Sequence, residues 1–251
     1  MNILRHKIIL FSLSLLPTLV FSAQQHITVF TEHLPPYQIQ DKEGKLSGLT
    51  IDIFNELIQI TGDIPKIQIM PWARAFRDVQ TTPNSLIFSM TRTPEREDKF
   101  LWVGDILEFH PYFWGLRERF NNKSFSFNEI KQYIISIVRN SSGYSFLQSH
   151  KFPKIYPTVY EEQVIKMIYK GRADFFMSGK PTLNSLTQKL SLDIDKLIPV
   201  HKIEERSYKT SIAFNLESDI EVVQKYQQAF NQLKQSGKLE MYRQKWKVST
   251  E

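Results

Sequence analysis

The chain has no cysteine among its 251 residues. A disulfide and a lipid-modified N-terminal cysteine are therefore excluded, and the core alone must hold the fold. The histidines, His6, His26, His33, His110, His150 and His201, are scattered without metal-ligand spacing, so no metal site is expected. There is no Gly-x-Ser-x-Gly elbow and no glycine-rich phosphate cradle. No Lys/Arg block with interleaved aromatics points to nucleic acid. Repeats and low-complexity linkers are also missing. No catalytic constellation and no cofactor motif emerges.

Long hydrophobic runs are scarce too. The one that exists, residues 8–21, follows Arg5 and Lys7 and gives way to Ser22, Ala23 and polar residues. It is too short, and Pro17 too disruptive, for a membrane span of about 20 residues. It reads as a secretory signal over residues 1–22, cleaved after Ser22 or, alternatively, after Ala23. The 229 residues beyond Ser22 can build a core. Losing Arg5 and Lys7 takes the formal charge from +6 to +4. That modest balance is compatible with anionic solutes or a membrane surface and does not argue for nucleic acid.

What is present is a regular alternation of short apolar runs and amphipathic stretches, the pattern of an α/β protein. Residues 27–30, 67–70 and 86–88 read as strands. A helix enters at Gly48-x-x-x-Asp52, carries Ile51, Phe54, Leu57 and Ile58 on one face, and ends at Gly62. Pro35 and Pro36 make residues 31–37 a loop, with Glu32 at its mouth. Trp72 and Arg74 follow a strand, at the end of a parallel sheet where open α/β folds bind ligands. Residues 133–138 read as a buried strand, 161–170 as a helix closed by Gly171, and 172–179 as the next strand. Residues 220–246 read as helical, broken at Ser236-Gly237.

The stretch Ser89 to Phe100, SMTRTPEREDKF, carries the clearest chemistry. Thr93, Pro94 and Glu95 read as a helix start: an N-cap, a proline at the first turn, and an acid near the positive end. Ser89 and Thr91 offer hydroxyls, and Arg96 offers a planar fork of donors. Together they form a candidate seat for a carboxylate. The competing use of Arg96 is a surface ion pair with Glu95 or Asp98. A second candidate anion seat lies at Arg139–Tyr144, where hydroxyls precede a helix directly after a strand.

This stretch resembles the carboxylate clasp of the bacterial extracellular solute-binding proteins, family 3, in which Ser/Gly-x-Ser/Thr at a strand end is followed by Thr-x-x-Arg. The likeness extends over nearly the whole chain beyond the signal, including Gly48-x-x-x-Asp52, Gly171-Arg172-Ala173-Asp174 and the terminal Gly-x-Leu…Trp. It implies a type II periplasmic binding fold, with each lobe a mixed sheet flanked by helices and two hinge crossings. Lobe one is expected from 23–112 plus 208–251, and lobe two from 113–207, with residues 204–210 as the return crossing. It further implies that Leu34 and Tyr37 lie over the solute, that Trp72 packs on its side chain with Arg74 as a second cation, and that Ser142 and Arg139 close from lobe two. The expected product is a monomeric periplasmic protein that captures an amino-acid-like solute for an ABC-type permease.

The likeness fails at one place. Amino-acid binders carry an Asp at the end of the strand after Gly-Arg-Ala-Asp, to hold the solute's ammonium. Here that place is Gly179. Asp174 lies at the wrong end of the strand. Losing one partner of a desolvated ion pair costs several kcal/mol. Either another acid, Glu32 or Glu161, takes over, or the solute has no such ammonium. Two alternatives stay open: a lyase resembling cyclohexadienyl dehydratase, with Glu32 or Asp105 as its cleft acid, and a sensing protein that reports to a membrane receptor.

Overall fold

The computed structural model describes residues 26–121, 123–203 and 208–248. The expected signal segment, and residues 204–207 of the expected return crossing, lie outside the described residues. The architecture is two α/β lobes, each built on its own five-stranded mixed sheet.

The first lobe opens with strand β1 (Thr28–Thr31), the small ribbon β2 (Ile39–Gln40) and β3 (Leu46–Ser47), and helix α1 (Leu49–Thr61). Then come β4 (Lys66–Ile69), α2 (Trp72–Thr81), β5 (Ser85–Arg92), the short α3 (Pro94–Glu97) and β6 (Phe100–Phe109). The second lobe holds β7 (Tyr112–Leu116), α4 (Arg117–Phe120), α5 (Phe127–Ile130), β8 (Ile135–Val138) and α6 (Ser142–Ser149). It continues through β9 (Ile155–Thr158), α7 (Glu161–Tyr169), β10 (Phe175–Ser178), α8 (Lys180–Lys189) and β11 (Leu197–Lys202). Strand β12 (Tyr208–Asn215) returns to the first sheet, followed by α9 (Ile220–Gln235) and α10 (Lys238–Lys245).

The first sheet runs β4-β1-β5-β12-β6 and the second β11-β7-β10-β8-β9. In each sheet three neighbouring strands are parallel and the other two pair antiparallel. The chain leaves the first sheet after Phe109 and enters the second at Tyr112, so residues 110–111 carry one crossing.

The helices fold where their periodicity places them. In α1, Leu49, Ile53, Phe54 and Leu57 are fully buried against β5 and α9, and Gly62 closes the helix in a left-handed conformation. Asp52, near the helix start, is held by Lys245 and the Trp246 indole at 2.7 Å. Helix α8 has a weak sequence signature: its buried residues are few, Leu183, Leu186 and Thr187, and only Pro181 in its first turn marks the start.

Gly48 shows why that spacing recurs. Its φ is 126°, and a Cβ there would stand 2.3 Å from the Tyr37 carbonyl oxygen. The backbone of residues 36–37 therefore packs directly on the entry to α1, and this packing holds the loop after β1 in place. Gly48→Ala should lower unfolding stability by at least the ~1–3 kcal/mol of backbone strain, read as a lower urea midpoint at unchanged slope. An unchanged midpoint would show that the close approach is not required.

Candidate functional site

The parallel strands of both sheets deliver their C-terminal ends to one cleft between the lobes, as open α/β sheets do. The loop after β1 brings Glu32, Leu34 and Tyr37. The turn after β4 brings Trp72, and β5 brings Ser89, Thr91 and, through α3, Arg96. From the other lobe β8 brings Ser141 and Ser142, β10 brings Ser178 and Gly179, and α7 and α8 bring Glu161 and Thr182. All of these line one cavity of about 120 Å³. Phe109, Pro111, Tyr208 and Thr210 at the crossings also line it, with the rings of Phe109 and Tyr208 6.0 Å apart.

Arg96 is the central group. Thr93 and Pro94 start α3 as expected, although the Thr93 side chain makes no capping bond. Arg96 is only 6% exposed. Its guanidinium donates to the Thr91 carbonyl at 3.0 Å and to the Asn140 carbonyl, across the cleft, at 3.5 Å. The Phe76 and Trp72 rings lie 4.5 and 5.5 Å from it. These partners are neutral. Burial pulls its pKa down to about 10, with Glu95 supporting the charge. A desolvated cation on carbonyls and aromatic faces is a receptor for an anion.

Ser89 sits at a β-bulge: Phe88 and Ser89 lie opposite the single residue Ile212. Its φ of 57° turns the strand there. Its hydroxyl donates to Gln38 Oε1 at 2.7 Å and receives Thr50 at 2.9 Å. Ser89 thus shapes the wall, and its proton is already committed.

Trp72 does two things at once. It is 5% exposed and packed with Ala75 and Val79, yet it lines the cavity and donates from Nε1 to the Asn140 carbonyl at 2.9 Å. Tyr37 is buried, which pushes its pKa up, and Thr182 of the second lobe meets its hydroxyl. At the rim, Lys189 bonds Glu162 at 2.8 Å and reaches His33 at 2.6 Å. The two lobes are in contact around the cavity.

Several expectations need correction. Arg74 and Arg139 do not line this cavity. Both are exposed and line a separate outer groove. Arg74 lies two residues beyond Trp72, on the far side of α2, and pairs with Asp78 at 3.4 Å. What the second lobe offers Arg96 is the Asn140 carbonyl instead. Ser141, not Ser142, caps α6, accepting from the Tyr144 N–H at 3.1 Å; Ser142 is the first helical residue and lines the cavity. Asp105 faces away, bonded to Ser211 at 2.7 Å and close to Arg92 and Lys209, so it does not serve as a cleft acid. Asp174 is bonded to Arg119 and the Ile134 N–H, at the end of β10 remote from the cavity.

Gly179 lines the cavity and is crowded by a neighbouring ring. A Cβ on it would meet the Phe109 ring at 3.0 Å. The cavity's acids are Glu32 and Glu161. Among the described residues neither has a side-chain hydrogen bond or a cationic partner. Burial raises the Glu161 carboxyl to about 7, with Glu162 adding to it. Burial, then Glu161 and Glu162, raises Glu32 well above the usual range.

The chain therefore has the two-lobe architecture of a solute-binding protein, with a cavity between the lobes. The sequence profile of the bacterial extracellular solute-binding proteins, family 3, matches residues 27–249, and the chain belongs to that family. No curated protein matches the sequence. A histidine kinase sensor domain with similarity to periplasmic binding proteins superposes with a TM-score of 0.78 at 14% identity, over 89% of this chain and 96% of that one. ArtJ from Geobacillus stearothermophilus, an arginine-, lysine-, histidine-binding protein, gives 0.77 at 17%, over 88% and 95%. The ancestral amino acid-binding protein AncCDT-1, a precursor of cyclohexadienyl dehydratase, gives 0.74 at 18%, over 88% and 94%. At these identities the likeness is one of fold. Among the described residues no helix is long and apolar enough to cross a membrane.

The raised carboxyls have a stability consequence. Glu161 keeps its proton to about 7 in the folded cleft, whereas an unfolded Glu ionises near 4.3. The folded state binds more protons across that window, so stability falls as pH rises through it. The melting temperature of ligand-free protein should drop more between pH 5 and pH 8 in the wild type than in Glu161→Gln. Equal slopes would show that Glu161 titrates normally.

Proposed function

We propose that the chain is an exported solute-binding protein that captures a small, carboxylate-bearing, amino-acid-like solute between its lobes and presents it to a membrane permease of the ABC class. Residues 1–22 act as the export signal. Residues 23–112 plus 208–251 and residues 113–207 move as the two lobes of a hinge. The observation that carries the reading is Arg96, a buried guanidinium on the cavity wall whose bonds go to neutral carbonyls. Family membership and the fold it shares with ArtJ and AncCDT-1 support it.

The energetics are sufficient. Micromolar affinity needs about 8 kcal/mol. A charge-assisted pair of bonds to Arg96 supplies about 1.5–3 kcal/mol. Burying the solute's body against Trp72, Leu34 and Tyr37 adds roughly 25 cal/mol for each Å² of apolar surface. Thr91 and Ser142 border the same carboxylate seat from opposite lobes, so closure completes it.

Arg96→Ala tests this. The variant should remain folded, and its own unliganded melting temperature is the reference for the screen. The shift given by amino acids or small carboxylates in a thermal screen of the wild type should vanish. A variant that keeps the full shift would refute the clasp.

A further inference from the structure

The same cavity holds two further ionisable groups, and the clasp does not use them. Glu32 comes from the loop after β1 in the first lobe, and Glu161 is the first residue of α7 in the second. Both line the cavity that Arg96 lines. Neither carboxylate has a cationic partner among the described residues, while their neighbour Glu162 is matched by Lys189. We propose that Glu32 and Glu161 together receive the cationic groups of the solute, so that the preferred solute is a carboxylate carrying two amino or guanidino groups, of net charge +1. This rests on the reading of Arg96 as the carboxylate seat.

The charge balance selects that class. One buried guanidinium faces two uncompensated carboxylates. A solute with one carboxylate and two cations neutralises all three. A zwitterion leaves one acid that must stay protonated, and a simple carboxylate leaves both. Buried charges are tolerated only when paired, so the order of affinity follows that order of charge. The usual place for an ammonium partner is Gly179 here, which carries no acid and where a Cβ would crowd the Phe109 ring at 3.0 Å. Glu32 and Glu161 also belong to different lobes. A cation between them is a bridge, and without it closure brings two like charges together.

The groups around this end fix the pH dependence. Glu161 and Glu162 of α7 face Glu32, Tyr37 lies on the same loop, and Lys189 and His33 stand at the rim. Burial and Glu162 hold the Glu161 proton to about 7. An ammonium takes the carboxylate form, so binding expels a proton and affinity climbs as pH rises through neutrality. One such proton makes binding about tenfold tighter at pH 8 than at pH 6.

The test is isothermal titration of the mature chain with L-lysine at pH 6 and pH 8, in phosphate and in Tris, whose ionisation heats differ. L-Alanine and propionate are the comparison probes, and Arg96→Ala and Glu161→Gln the variants. The expected result is L-lysine tightest and propionate weakest, proton release with L-lysine, and about tenfold tighter L-lysine binding at pH 8. Glu161→Gln weakens L-lysine about tenfold or more, flattens its pH dependence, and leaves propionate no weaker. Propionate or L-alanine binding as tightly as L-lysine in an Arg96-dependent way would overturn the cation site and leave the clasp standing. So would L-lysine binding that is indifferent to Glu161→Gln. Binding of no probe, or binding indifferent to Arg96→Ala, would overturn both.

Discussion

A guanidinium buried to 6% exposure organises this molecule. Its side chain leaves α3, rests on the Trp72 and Phe76 rings, and ends on two carbonyl oxygens, one from each lobe. A cation in such a place is poorly solvated, and burial lowers its pKa accordingly. Carbonyl dipoles compensate only part of the lost hydration. The remainder is available to an incoming anion, and this is the physical basis for proposing the cavity beside Arg96 as the solute site.

Placement of that group depends on backbone details well removed from it. The bulge at Ser89 turns β5 so that Thr91 and α3 meet the cleft. Gly48 lets the loop after β1 lie directly on the entry to α1, fixing the segment that carries Glu32, Leu34 and Tyr37. The Asn140 residue, at φ 59°, presents its carbonyl to both Trp72 and Arg96. Through those two bonds the second lobe is tied to the first beside Arg96. Phe109 and Tyr208, beside the two crossings, line the same space.

Much of this was legible in the chain, for local reasons. The strand, hydroxyl, Thr-Pro-Glu and Arg sequence at residues 86–96 specifies its own turn and helix start, so Arg96 stands out from the sequence itself. Gly48, Gly62 and the period of α1 are equally local. What escaped depends on rotation and on the backbone. Arg74 points away because two helical residues span about 200°, a fact hidden by its nearness to Trp72. Arg139 was favoured for its charge, whereas the contact belongs to the carbonyl of the next residue, and a carbonyl leaves no mark in a sequence. Phe109 and Tyr208 meet only because two distant crossings converge. Asp105 looked like a cleft acid until the strand alternation of β6 placed it beside Ser211 and Lys209. Glu161 stood in the sequence as one of two acids that could replace the missing Asp; its place on the cavity wall follows from the packing of α7.

The space between the lobes is thus lined by one guanidinium, Arg96 of the first lobe, and by two carboxyls, Glu32 of the first lobe and Glu161 of the second. The most direct examination is a crystal structure of the mature protein with the solute that raises its melting temperature most. The account predicts the solute's carboxylate within hydrogen-bonding distance of the Arg96 guanidinium, between closed lobes. A solute seated with its carboxylate turned away from Arg96, or bound outside the cleft, would contradict it.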